Sequence, residues 1–328
     1  DYLSSRGPAI GTDVNYNVDS FFGVPGPVIG FLDAWYIYDS GLDTLGQDRR
    51  DIPPETRNRG RLQLRHRHYL RNDYELIAEA GWVSDRNFLE QYLENEWDRN
   101  VNHRTALRLR KYLRSQMFDL SAQVQVNDFE TEEERLPLLE HYVLGGSLLG
   151  DWLTYSSHSK VGYERLRVGT QPIDPAEAAL NSPVPGEVNG SGVVVATRQE
   201  LALPINLGPV VVVPNISGDA AHYGDAANGD PLTRLVGQAG VRTSLQMWRV
   251  DPAVQSSLLN VRGLAHKMEW TAEYFYADSD TNLEELQLYD PLDDNAQEKF
   301  RRRFITSDYG GVLPNQFDPR YYALRHGI

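Results

Sequence analysis

The chain has 328 residues and a net charge of −14, which is long enough for a large core and too acidic for a nucleic-acid surface, where Lys and Arg must be in excess. It has no cysteine, so a disulfide framework, a Cys-based metal site and a Cys nucleophile are excluded, as suits an exported protein. No apolar run approaches the roughly 20 residues of a membrane helix.

In chain order, Ile10–Val18 alternates Ile10, Thr12, Val14, Tyr16 and Val18 with Gly11, Asp13, Asn15 and Asn17. A side-chain period of two predicts a strand with unlike faces. Gly23–Pro27 carries strong breakers and predicts a compact turn. Val28–Tyr38 is the return strand and ends in Trp35, Tyr36 and Tyr38; a polar connection runs from Asp39 to Asn58. Two hairpins follow. Arg61–Leu70 places Arg61, Gln63, Arg65 and Arg67 opposite Leu62, Leu64, His66 and His68, and turns at Arg71–Asp73. Tyr74–Val83 places Tyr74, Leu76, Ala78, Ala80 and Trp82 opposite Glu75, Ile77, Glu79 and Gly81. The Arg row and the Glu pair can meet across one face, which favours pairing. Ser84–His103 connects, with one or two helical turns near Asp85–Tyr92, and Leu113–Met117 is the second tight turn. Phe118–Asn127 gives Phe118, Leu120, Ala122, Val124 and Val126 against Asp119, Ser121, Gln123, Gln125 and Asn127.

Acidic Asp128–Arg135 precedes a short strand at Leu136–Leu144, a Gly-rich turn at Gly145–Asp151 and a long strand at Trp152–Val168. Gly169–Val193 is rich in Pro, Gly, Ala and Ser and reads as a loop. Ala196–Leu203 and Pro209–Pro214 flank a turn at Asn206–Gly208, and Tyr223–Asp230 is another loop. Leu235–Arg249 and Lys267–Ala277 alternate again, with Met268, Trp270, Ala272, Tyr274 and Tyr276 on one face of the second. The tail is acidic, then basic at Arg301–Arg303, and enters a further strand after Asp318. The chain begins at Asp1 without Met and stops within this strand, as expected of a fragment cut at both ends.

About twelve strands result. Their connections alternate short and long, and the strands are long beside the ~5–6 residues of soluble ones. Both features predict an all-β fold, an antiparallel up-and-down transmembrane β-barrel, incomplete, in a single domain over residues 1–328. Apolar faces (Leu76, Ala78, Leu120, Val124, Val241, Trp270) would then meet lipid. Polar faces, with Arg61, Arg65, Arg67, Glu75, Glu79, Asp119, Gln123, Gln125, Gln238, Arg242, Glu269 and Glu273, would line a lumen. Tyr16, Tyr38, Tyr74, Trp82, Trp152, Trp270, Tyr274 and Tyr276 would supply interface girdles.

The run Arg59–Pro137 resembles the barrel domain of the LPS-assembly outer-membrane protein family (LptD, the organic-solvent-tolerance family). The matching pieces are Arg61–His68, Glu79–Leu89, Asp128-Phe129 and Leu136-Pro137, with weaker likeness at His266-Lys267, Glu273-Tyr274 and Tyr289-Asp290. The resemblance implies a barrel in the cell outer membrane that receives lipopolysaccharide from a periplasmic bridge and inserts it into the outer leaflet. The partners it implies are lipopolysaccharide, a plug lipoprotein in the lumen (LptE-like), the periplasmic bridge and outer-membrane lipid. No covalent step and no cofactor is implied, so the protein is not expected to be an enzyme. The likeness does not extend to the family's N-terminal jelly-roll, its closing strands or its cysteines. Twelve strands would be an open part of the family's larger barrel. Two other classes stay open: a general diffusion porin, and a soluble β-rich protein acting on carbohydrate through two close carboxylates.

Other constellations have plainer readings. His66 and His68 share a face at i, i+2, but two ligands do not make a metal site, and packing on a neighbour explains them. The acidic runs Glu130–Glu134 and Asp290–Asp294 and the basic Arg301–Arg303 read as solvated loops. No Gly-x-Ser-x-Gly, His-Glu-x-x-His or phosphate loop occurs.

Overall fold

The computed structural model describes residues 2–281, apart from positions 4, 47–49, 100, 102, 181–187 and 227, together with Tyr289 and the backbone of 322–327. The strands are β1 (Tyr2–Leu3), β2 (Gly7–Phe21), β3 (Val24–Tyr38), β4 (Asp43–Leu45), β5 (Arg50–Ile52), β6 (Asn58–Leu70), β7 (Tyr74–Val83), β8 (Thr105–Leu113) and β9 (Gln116–Val124). Then come β10 (Glu132–Leu148), β11 (Leu153–Arg167), β12 (Gly190–Ala202), β13 (Ile205–Leu207), β14 (Val210–Tyr223), β15 (Leu232–Ser256), β16 (Val261–Ser279) and β17 (Tyr322–Gly327). Three short helices sit in connections: α1 (Phe88–Tyr92), α2 (Glu94–Asp98) and α3 (Pro175–Leu180).

The fold is all-β, and its large sheet is an antiparallel up-and-down meander. Its hydrogen-bonded order is β1-β2-β3-β6-β7-β8-β9-β10-β11-β12-β14-β15-β16-β17, with β13 on β14, and β4-β5 form a separate ribbon. Strands adjacent in sequence are thus adjacent in space, as tight antiparallel turns dictate. The turns take left-handed backbone where the chain must reverse in two residues: Phe22-Gly23, Asn72-Asp73, and Leu149 through Asp151 all have positive φ.

Two compact units divide the chain. One comprises Asp1–Glu140, Val161–Val194 and Gln287–Ala296; the other His141–Lys160, Val195–Leu286 and Gln297–Ile328. In the first unit the register of β6 on β7 sets Arg65 opposite Glu79, and that of β7 on β8 sets Glu75 opposite Arg110. In the second, β15 on β16 sets Arg242 opposite Glu273. Its clearest register shift lies between Asp251 and Gln255.

Several boundaries differ from the sequence reading. The turn expected over Gly23–Pro27 is only Phe22-Gly23, and Pro25 and Pro27 lie inside β3. They are tolerated because β3 begins pairing with β6 only at Val28, so the missing N–H groups face no ladder on that side. β10 begins at Glu132 and passes through Gly145-Gly146 to Leu148. Glu132–Glu134 therefore belong to a strand, and all three are buried rather than solvated. Gly190–Gly192 open β12 instead of extending the preceding loop. The runs Asp290–Asp294 and Arg301–Arg303 lie outside the described residues.

The small apolar core is local. Val83, Phe88 and Leu89 cluster with Trp35, Tyr92, Leu93 and Phe129. Gly81 lets the chain approach: a Cβ there would lie 2.0 Å from the carbonyl oxygen of His103.

Candidate functional site

The first unit's sheet has one face of charged pairs and one of exposed apolar side chains. On β7, Glu75, Ile77, Gly81 and Val83 are buried while Tyr74 and Trp82 are exposed. On β9, Asp119 and Ser121 are buried while Phe118, Leu120, Ala122 and Val124 are exposed. A water-soluble sheet buries its greasy face, so this polarity is reversed. Leu120 is 44% exposed, Val124 39% and, in the second unit, Trp270 43%; Val241 is half-buried. No dry interior encloses these four.

A ladder of ion pairs runs along the polar face. Arg65 Nε donates to Glu79 at 3.0 Å and Arg104 Nε to the same carboxylate at 2.7 Å. Glu75 pairs with Arg67 at 3.0 Å and accepts a 2.7 Å bond from the Tyr112 hydroxyl. Asp119 accepts from Arg108 at 2.5 Å and from Arg110 at 2.9 Å. Arg61 bridges Asp33 and Glu96. Gln123 donates to the Glu133 carbonyl, and Gln125, just past the end of β9, donates to Glu134 and the Glu130 carbonyl. Arg165 and Arg167 both pair with Glu134. Buried charges without such partners would be costly.

In the second unit Arg198 pairs with Asp219 at 2.7 Å, and Arg242 reaches Glu200 at 3.3 Å and Glu273 at 3.2 Å. Gln238, Arg242, Glu269 and Glu273 share this face by alternation. The opposite face pairs Ala239 with Tyr276, Val241 with Tyr274, Thr243 with Ala272, Leu245 with Trp270, and Met247 with Met268. Charge returns on the same face at Asp278, opposite Gly237, and at Arg249, opposite His266. The stretch from Ala239 to Met247 spans roughly 26 Å at ~3.3 Å per residue, and a tilted membrane-crossing strand needs about 9–11 residues.

Of the girdle aromatics, Tyr38, Tyr74, Trp82, Trp152, Trp270, Tyr274 and Tyr276 are exposed. Tyr16 is the exception: it lies across Gly30, where a Cβ would come 2.3 Å from its hydroxyl, and bonds His66 Nδ1 at 2.9 Å. His66 also packs on Phe21. The two histidines are thus packed on their neighbours, and among the described residues no group of three or more His, Asp or Glu is placed to hold a metal.

At the long-loop end of the first unit the polar face closes on a buried ion cluster that the sequence reading missed. Arg59, fully buried, donates to Asp85 twice (3.0 and 2.8 Å), to Asp39 at 3.0 Å and to Asp43 at 2.5 Å. Arg6 joins Asp39 at 2.9 Å and Asp43 at 3.2 Å, and the Tyr92 hydroxyl donates to Asp39 at 2.5 Å. Burial works to raise Asp39, yet bonds from Tyr92, Gly41 and Arg59 and the Arg6 charge hold it below the ordinary carboxylate value. For Asp43 burial wins over both arginines and its pKa is raised; its Oδ2 has no partner. Burial, then the bond to Asp39, raises the Tyr92 hydroxyl. The clue in the sequence was Asp39, Asp43 and Asp85 on either side of a strand with Arg59 near its start. Nearby, Asn127 ties the end of β7 to the next loop, accepting from Val83 N–H at 2.9 Å and donating to Glu130 at 3.0 Å. Burial raises the Glu130 carboxyl despite that bond.

Among the described residues no helix is long and apolar enough to cross a membrane, which says nothing of strands. No protein-family model matches the chain, and no curated protein matches it.

Proposed function

We propose that the chain is a membrane-spanning part of an outer-membrane β-barrel that passes lipopolysaccharide to the outer leaflet along its polar face. The carrying observation is the reversed polarity of the sheet: exposed Leu120, Val124 and Trp270 on one face, paired Glu75, Glu79 and Asp119 on the other. Hydrocarbon is the solvent that tolerates the first, and a hydrated path suits the second. Lipopolysaccharide is anionic in its head group and many-chained, so a path of mixed-sign charge beside a bilayer serves both parts. The choice of this cargo rests on the resemblance of Arg59–Pro137 to the LPS-assembly family, with a plug lipoprotein and a periplasmic bridge as partners. A soluble carbohydrate-active fold is disfavoured by the exposed apolar face.

The cysteine-free chain makes the test direct. Single cysteines are placed at Leu120 and at Gln123 and the full chain is reconstituted in lipid vesicles. A water-soluble maleimide is expected to label Gln123→Cys and to spare Leu120→Cys; equal labelling refutes membrane insertion. For the cargo, a benzophenone side chain at Arg65 is expected to crosslink added lipopolysaccharide. Steady ion conductance with no crosslink favours a porin instead.

A further inference from the structure

The β15–β16 hairpin changes character at one level. Down to Met247 and Met268 its apolar face carries Val241, Leu245, Trp270 and Tyr274; the next pair on that face is Arg249 opposite His266. Both are exposed. None of the ion pairs among the described residues involves Arg249, Arg262, His266 or Lys267. On the other face polar Gln246 and Glu269 give way to Trp248, opposite Lys267, and to Val250, opposite Ala265; Trp248 and Val250 are both exposed. From Trp248 to Lys267 the hairpin holds Arg249, Arg262 and Lys267 against Asp251 alone, in a chain of net charge −14.

We propose that Arg249 and His266 bind the phosphate of an anionic phospholipid headgroup in the leaflet on the tight-turn side. This rests on the membrane-spanning reading. The apolar stretch from Ala239 to Met247 fills the hydrocarbon, so the next outward pair stands at headgroup depth. Arg249 offers a planar fork of N–H donors and His266 a ring N–H, which together suit a phosphodiester. The positive hairpin draws negative lipid although the chain as a whole repels it.

The full chain is reconstituted in phosphatidylcholine vesicles containing traces of spin-labelled phosphatidylglycerol or spin-labelled phosphatidylcholine. The motionally restricted fraction gives their relative association. The wild type is expected to prefer phosphatidylglycerol, and Arg249→Gln with His266→Gln to lower that preference about fivefold, the effect of one cation near a membrane surface. Arg249→Lys with His266→Lys should retain it, which separates charge from misfolding, and Arg99→Gln should leave it unchanged. No preference in the wild type, or one that survives the double glutamine variant, overturns the assignment. Displacement by excess inorganic phosphate overturns it too, since that marks a free-anion site. Absence of any restricted phosphatidylcholine instead strikes the membrane-spanning reading itself.

Discussion

Replacing Arg59 with Met tests whether the buried ion cluster holds the long-loop end of the first unit. The substitution roughly keeps the volume and removes four hydrogen bonds, two to Asp85 and one each to Asp39 and Asp43. Asp39 and Asp43 retain Arg6, and Asp85 retains the Ser84 hydroxyl at 2.7 Å and the Asn87 N–H at 3.2 Å. Breaking a buried pair by removing one partner costs about 3–5 kcal/mol; the remaining partners put the expected loss near the lower end, about 3 kcal/mol. The assay is urea unfolding of the reconstituted chain, with amide exchange of 39–46 and 84–93 as a local readout. Adding Asp85→Asn should recover part of the loss, because the orphaned charge is then gone. The pH dependence carries a sign. Asp39 is held below the ordinary carboxylate value in the fold, so its contribution is present above that ordinary value and disappears as pH falls through the folded pKa. In Arg59→Met this acid limb should shrink. A loss under about 1 kcal/mol, the scale of a surface ion pair, or unchanged exchange in both segments, refutes the reasoning.

Asp43→Asn should be within about 1 kcal/mol of the wild type by the same unfolding assay, since the cluster holds two arginines and three aspartates and Asp43 is the carboxylate that burial disfavours. His103 is buried, and burial first, with Arg61 adding, lowers its pKa below 6.5. Stability should therefore fall as pH drops from 6.5 toward the folded value, and His103→Leu should flatten that limb in a pH series. Leu120→Arg should weaken assembly into vesicles by about 2–4 kcal/mol if the residue lies near the bilayer centre, whereas Gln123→Arg should be tolerated; quantitative refolding into lipid compares them. Gly81→Ala should cost more than about 1 kcal/mol, because a Cβ there meets His103 backbone that cannot swing aside.

Much of the sheet was legible because period two is a local signal. The alternation of Tyr74–Val83 and Phe118–Val124 sorts apolar from polar positions into the faces observed. The cross-strand pairs Arg65–Glu79 and Arg242–Glu273 followed from that alternation once register was fixed. Strand ends were less legible. Pro25, Gly145 and Gly190 are breakers in isolation, and only the presence or absence of a neighbouring ladder decides whether they break anything. The Arg6–Arg59 cluster joins residues 16 to 86 positions apart in sequence, and no periodicity encodes such a meeting. Arg108 and Arg110, by contrast, sat at period two on β8 and could have been read as partners of Asp119.

The ionic ladder also bears on how such a sheet finds its alignment. A slip of β6 against β7 by one position would leave Arg65 across from Ala78 or Ala80 and turn the whole arginine row onto the apolar face. Each matched pair of opposite charges therefore doubles as a marker of correct alignment, because a misthreaded hairpin leaves its charges facing small neutral side chains.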